Sequence, residues 1–538
     1  MNTRFDLIIK RGEIIDGTGS PSFKADIGIK EGKIVKIGDI TEKGSTNINA
    51  DGLVVSPGFI DMHNHADHAI LAFPNAECYI MQGVTTSLVG NCGLSMAPIN
   101  SANLELTKSY LFPFLRSDFD YKWDWKTSKE YFEKIRKNRT AINLAPLVGQ
   151  GTLRIAVKGF DMSSASKEEM DTMKTILKQE LEEGAFGLST GLVYPPGSYS
   201  TTEELVELTG VLKDYDALYT THMRSESDEL LESVEETIRI GEENDISVEI
   251  SHHKAIGKAN WGKVKKTLKM LEDARKRGVN IHCDVYPYTV AMTTVSSLLP
   301  PWTLEGGVEK MLARLGSPEE RVKIERDITE GRMKGENWIR GIGWENIVVA
   351  ECPLDKDAEG KSLKTLFQER SQFQRPFKAL FNWLIKIKGE ATMVFICMDE
   401  EDVKTVISSS LSIIISDSWV IAPRGGGKPH PRGYGSFSRV LGKYVREEKT
   451  LTLEEAIKKM TSMPAKKIGL KDRGILKEGY WADITIFNKD EIKDKATFKN
   501  PHQYAEGIYY VIVNGEFAVN KGEITGKKPG KILKKENV

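Results

Sequence analysis

Residues 57–68, PGFIDMHNHADH, set two imidazoles, His63 and His65, one residue apart at the end of a run of strand character. Alternate residues of a strand point to the same side, so both rings face one point. A single histidine there reads best as a core or surface residue. The His-X-His pair reads as half of a divalent-metal site, because imidazole is a frequent ligand of such ions. His68 is the bystander of the three. If the pair is a site, further ligands must end further strands, and the chain outward from it contains short apolar runs that close on suitable donors.

His222 ends ALYTTH in residues 217–222, and His252 follows SVEIS in residues 247–251. The two lie about one βα repeat apart, which places them on one face of a parallel sheet. Asp417 closes SIIISD, where a buried carboxylate needs a metal or a donor to offset its lost hydration. Cys92 closes TTSLVGNC beside glycines that permit close backbone approach. A lone cysteine is ordinarily an inert small hydrophobe. Here two ions sharing a cluster need an anionic bridge, and the fourth candidate strand, AFGLSTGL, offers no lysine to carboxylate. A thiolate bridge, a good zinc donor, is the reading preferred.

Around these residues, β-branched runs alternate with amphipathic stretches at 167–183, 202–213, 230–244 and 261–277, the rhythm of βα units. Candidate strands end near His65, Cys92, Val148, Thr190, His222, His252, Tyr286 and Asp417. Eight such strands predict an α/β fold of TIM type, a (β/α)8 barrel spanning about 57–465, with its chemistry at the strand C-terminal ends. Residues 392–398 also read as a strand, so the count carries one candidate too many. A tract rich in charge, Pro and Gly, about 292–351, reads as an insertion late in the barrel. Residues 1–56 and 466–538 share a texture of short strands and turns, which predicts a β-sandwich domain built from both termini. The lysine-rich tail from 527 is expected to fray.

Composition narrows the partners. Basic and acidic residues number 75 and 76 and form no long block, which argues against a nucleic-acid footprint or a polybasic membrane patch. The partner expected is a small molecule. The apolar run near the N-terminus is too short for a secretory signal, no long uncharged apolar stretch occurs, and five scattered cysteines do not form a disulfide framework. A cytoplasmic protein is expected, of open oligomeric state.

Taken together, the motifs resemble the amidohydrolase superfamily and, within it, the D-aminoacylases or N-acyl-D-amino-acid deacylases. The resemblance rests on PGFIDMHNHAD, QGVTTSLVGNCG, GLSTGLVYPPG, THMRSES, SHHK, DVYPY and HPRGYGSFSRVLGKYVRE, in family order from about residue 5 to 520. It implies Zn2+ as cofactor, one tight site held by Cys92, His222 and His252. A second, weaker or vacant position would be formed by His63, His65 and Asp417, with Cys92 able to bridge. It also implies that Arg432 of the HPR motif and Lys254 bind a substrate carboxylate, with Tyr286 of DVYPY at the same site, and that Tyr194 faces the scissile carbonyl. The path from Asp417 to HPR is longer here than in the family generally and carries Trp419 and Arg424.

The reaction so implied is hydrolysis of the linear amide of an N-acyl-amino acid, of D configuration by the family's habit, with Asp417 as general base and acid. Two rival readings stay open on the sequence. A cyclic amidase of hydantoinase or dihydroorotase type, or a dipeptidase, uses the same barrel, and a silent scaffold keeps the barrel without the chemistry.

Overall fold

The computed structural model describes residues 5–115, 119–333, 335–421 and 426–536; Arg424 lies outside the described residues. Eight parallel strands form the centre of the molecule: Phe59–Asp61, Val84–Val89, Asn143–Pro146 continued by Val148–Gly149, Gly187–Gly191, Leu218–His222, Ser247–Ile250, Ile281–Val285 and Ser412–Ile414. The third is one strand interrupted at Leu147, whose N–H donates to the Val89 carbonyl at 2.8 Å and so joins two arcs of the wall. The first and last strands meet just beyond their ends. There Asp417 N–H donates to the His63 carbonyl at 2.9 Å and His65 N–H to the Ser418 carbonyl at 2.7 Å. The result is a closed (β/α)8 barrel.

The outer helices form where capping and periodicity agree. Ser166 and Thr201 close capping boxes with Glu169 and Glu204, starting Lys167–Glu182 and Thr202–Thr209. Met170, Met173, Leu177 and Leu181 recur at helical spacing and are buried against the wall. Leu230–Asn244 and Lys263–Lys276 repeat the pattern.

Both termini contribute to one nine-stranded sheet. Its joint is the antiparallel pair of Val54–Pro57 with Ile484–Phe487. The long strand Phe5–Ile14 pairs on one edge with Gly44–Asn49 along its first half and Val54–Pro57 along its second, and on the other with Phe23–Lys30, where the register shifts between Ile9 and Gly12. The sheet thereby folds over a core that includes Leu7, Ile27, Ile34, Ile484 and Ile512 from both ends of the chain.

Thr392–Ile396 is not a barrel strand. It is the middle member of an antiparallel sheet between Val290–Thr294 and Ile347–Glu351, and the excursion from the barrel therefore runs on to Ile396 rather than ending near 351. A five-residue buried run has the same texture in either setting, and only its partner distinguishes the two. The tail also departs from expectation. Leu144 N–H donates to the Lys531 carbonyl at 2.9 Å and Leu533 N–H to the Leu144 carbonyl at 2.8 Å, so residues 530–535 lie along the entry of the third barrel strand. Backbone groups at that entry need partners, and Ile532 and Leu533 supply apolar contact amid the lysines.

Candidate active site

Every donor named from the sequence reaches the C-terminal mouth of the barrel. His63 and His65 follow the first strand, Cys92 the second, His252 the sixth and Asp417 the eighth, while His222 ends the fifth. Three of them bend out of their strands in the left-handed region: Cys92 at φ 53°, His252 at φ 36° and Asp417 at φ 51°. Residues without the freedom of glycine hold that conformation only where the surroundings over-determine it. Around Cys92 the surroundings are backbone: a Cβ on Gly191 would stand 2.1 Å from the Cys92 carbonyl, so the close approach of the second and fourth strand ends there requires glycine.

Cys92 is the hub of the cluster. His63 Nε2 lies 3.2 Å from its sulfur and His252 Nε2 3.6 Å, and His222 also hydrogen-bonds to it. Asp417 Oδ1 is 3.6 Å from His63 Nε2 and 3.5 Å from His65 Nε2. Ligand atoms of His63, Cys92, His252 and Asp417 all fall within 4.8 Å of one another, as do those of His222, Glu226 and His252. Donors about 2.0 to 2.3 Å from a tetrahedral zinc stand roughly 3.3 to 3.7 Å apart, so the observed spacings fit that ion.

The charge states agree with the chemistry of the donor set. Burial by itself pushes the Cys92 thiol up, yet His63 above all, with His222 and His252, holds it well below the usual thiol range. Burial likewise opposes the Asp417 carboxylate, and the Arg432 guanidinium, followed by His252, holds it well below the usual carboxylate range. Tyr194 is pushed the other way, by burial and then by the charge on Cys92, and stays a phenol. Its ring edge meets His222 at 5.0 Å and its hydroxyl pairs with Thr293 Oγ1 at 2.8 Å.

Two acids that the sequence reading passed over orient the imidazoles. Asp284 Oδ2 accepts from His63 Nδ1 at 3.2 Å, and its other oxygen takes the His252 backbone N–H at the strained turn. Glu226 Oε1 stands 3.0 Å from His252 Nδ1 and accepts from Lys254 Nζ at 2.6 Å, while Oε2 lies 3.6 Å from His222 Nε2. A carboxylate behind a metal-binding imidazole fixes its tautomer and raises its basicity. Both acids stand inside stretches already singled out, THMRSES and DVYPY. Their signal was an acid at or just past a strand end, four residues after His222 and two before Tyr286.

The carboxylate-binding candidates are also assembled, though not free. Arg432 Nη1 donates to Asp417 Oδ2 at 2.6 Å, and the guanidinium lies 4.9 Å above the Tyr286 ring. Lys254 stands 5.6 Å from the same ring and is paired to Glu226. The Tyr286 hydroxyl is buried without a hydrogen-bond partner among the described residues. His68, packed beside Phe114, points neither nitrogen at a partner by hydrogen bond and stays outside the cluster.

A cysteine and four imidazoles with an aspartate at the mouth of a (β/α)8 barrel define a metal-dependent hydrolase. The sequence profile of the amidohydrolase family matches residues 46–342 and 381–519. D-aminoacylase of Alcaligenes xylosoxydans xylosoxydans is 33% identical over 530 residues, 98% of this chain and 97% of that protein. N-acyl-D-aspartate deacylase of the same organism is 34% identical over 98% of this chain and 95% of its own length. The structure of N-acyl-D-glutamate deacylase from Bordetella bronchiseptica, complexed with zinc and a phosphonate inhibitor, superposes with a TM-score of 0.82 at 31% identity, covering 98% of this chain and 99% of that one. The chain belongs to the amidohydrolase family, in its D-aminoacylase group.

Proposed function

We propose that this protein is a zinc-dependent deacylase that hydrolyses the amide bond of N-acyl-D-amino acids to a carboxylic acid and a free amino acid. The observation that carries the reading is the Cys92-centred cluster with two acid-bound cations, Lys254 and Arg432, on its wall. Cys92, His222 and His252 would hold the tighter zinc, and His63, His65 and Asp417 a second, with Cys92 bridging. Zinc held there supplies Lewis acidity and a water of lowered pKa at neutral pH.

The remaining roles belong to the chain's own side chains. Asp417, ionised and aimed into the cluster, takes the proton of the attacking water and returns it to the amine nitrogen as the C–N bond breaks. The Tyr194 phenol donates a hydrogen bond to the carbonyl oxygen as charge develops on it. Arg432 keeps donors beyond the one directed at Asp417, and with Lys254 and Tyr286 it holds the substrate α-carboxylate. Among the described residues all five cysteines are free and buried, and no helix is long and apolar enough to cross a membrane.

The test is a zinc titration of the metal-free protein followed by a panel of N-acetyl-D-amino acids, N-acetyl-L-amino acids, dipeptides and hydantoins. The expected result is release of free D-amino acid in proportion to bound zinc. Turnover of hydantoins in preference to the linear amides would transfer the assignment to the cyclic amidases.

A further inference from the structure

Beside the metal-site cavity lies a much larger one of about 510 Å3. The two share Leu94, Phe114, Val193, Tyr194 and Ser297, which form the throat between them. Asp417, Lys254, Tyr286 and Arg432 line the inner cavity and not the chamber, so the chamber opens away from Lys254 and Arg432. Its walls include Leu106, Phe160, Leu299, Leu304 and Met311. The Glu105–Lys108 ion pair stands on its exposed side. Glu336, a buried acid on this wall, is engaged by the Glu226 backbone N–H; Ser109, Ser296, Glu309, Lys388 and Glu390 also line the chamber, whose surface is more apolar than polar.

Resting on the deacylase reading, the geometry points to a substrate class: we propose that the chamber receives the acyl group, and that the preferred substrates carry a long or ring-bearing apolar acyl chain. An N-acyl-amino acid is linear through its reacting atoms, from carboxylate to α-carbon, nitrogen, carbonyl and acyl chain. With the carboxylate at Arg432 and Lys254 and the carbonyl at the cluster, the acyl chain continues past Tyr194 into the throat. The chamber volume lies in the range that houses a ligand of drug size, whereas an acetyl methyl would leave it nearly empty. Burial of each further methylene in such a site is worth about fourfold in affinity.

The experiment uses the zinc-loaded enzyme and one D-amino acid acylated with acetyl, butanoyl, hexanoyl, octanoyl and decanoyl groups. Turnover is followed by amine release and binding by calorimetry. The expected kcat/KM rises by about two orders of magnitude or more from acetyl to octanoyl. Leu304→Trp and Val308→Trp, which fill the chamber from the turn Pro301–Leu304 and from the helix Val308–Gly316, both on its wall, are expected to lower the octanoyl-to-acetyl ratio at least about tenfold. A flat chain-length profile, a ratio unchanged in both folded variants, or a dependence that follows the amino-acid side chain at constant acetyl would each overturn the proposal. If none of the series is hydrolysed while binding still climbs with chain length, the deacylase reading fails and the chamber assignment stands; if binding is flat as well, both fail.

Discussion

At the barrel rim the charged groups are paired: His63 with Asp284, His252 with Glu226, Asp417 with Arg432. Across the throat, the walls supplied by the excursion between Val290 and Ile396 include Leu299, Leu304 and Met311, whose side chains are held by packing. Buried charge is tolerable only when paired, so the rim admits few substitutions and its geometry is set to fractions of an ångström. An apolar wall tolerates changes of shape at modest cost, so it can vary with the acyl group it meets. The comparison teaches a division of labour in which strand ends fix the reaction and the excursion sets its selectivity.

The largest effect expected is at the hub. Cys92→Ala should lower zinc content, measured by metal analysis, and reduce kcat/KM by about three orders of magnitude or more, since it removes both ligand and bridge. Full zinc and full activity in that variant would dissolve the contrast between the regions. Next comes Asp417→Asn, which keeps shape but cannot accept a proton. We expect kcat to fall by about two orders of magnitude with much of the metal retained, and near wild-type kcat would leave Asp417 a ligand or structural acid only.

Arg432 sharpens the comparison because it touches both the base and the expected carboxylate site. Arg432→Ala should cost roughly one to two decades in kcat/KM for substrates with a free α-carboxylate, and far less for the matching amides or esters. Equal loss for acids and amides would show that it acts through Asp417 instead.

The smallest effect lies within the excursion. Asp355 pairs with Arg370 at 2.8 and 3.0 Å and accepts from Trp383 Nε1 at 2.8 Å. Burial opposes its charge, but Arg370, Trp383 and Lys386 bring its pKa down to about 2. A carboxylate near 4 when unfolded and lower when folded stabilises fully above about pH 4, and that contribution is lost as pH falls toward 2. Asp355→Asn is therefore expected to lower stability by about 1 to 3 kcal/mol at neutral pH, followed by thermal melting, with the difference from wild type shrinking below pH 4. Zinc content and kcat should stay as they are. Loss of metal in this variant would tie the two regions together.

The meeting of His63, His65, Cys92, His222, His252 and Asp417 at one mouth was legible because each closes a short apolar run, and a barrel brings all such ends to one face. The two-terminus sheet was legible from strand texture at both ends, and the family from the joint occurrence of its motifs. Glu226 and Asp284 were not, since an acid near a strand end looks the same whether it meets water or an imidazole. Thr392–Ile396 reads correctly as a strand, but its sheet was not legible because a buried run carries no mark of its neighbour's direction; nor was the place of the tail, because lysines conceal the backbone hydrogen bonds of Lys531 and Leu533. The sequence by itself thus determined which candidate donors gather at the barrel mouth, through local patterns of polarity and period. Only the tertiary structure decided which acid holds which cation and where the apolar chamber opens, because partner choice and cavity shape arise from contacts between segments far apart in the chain.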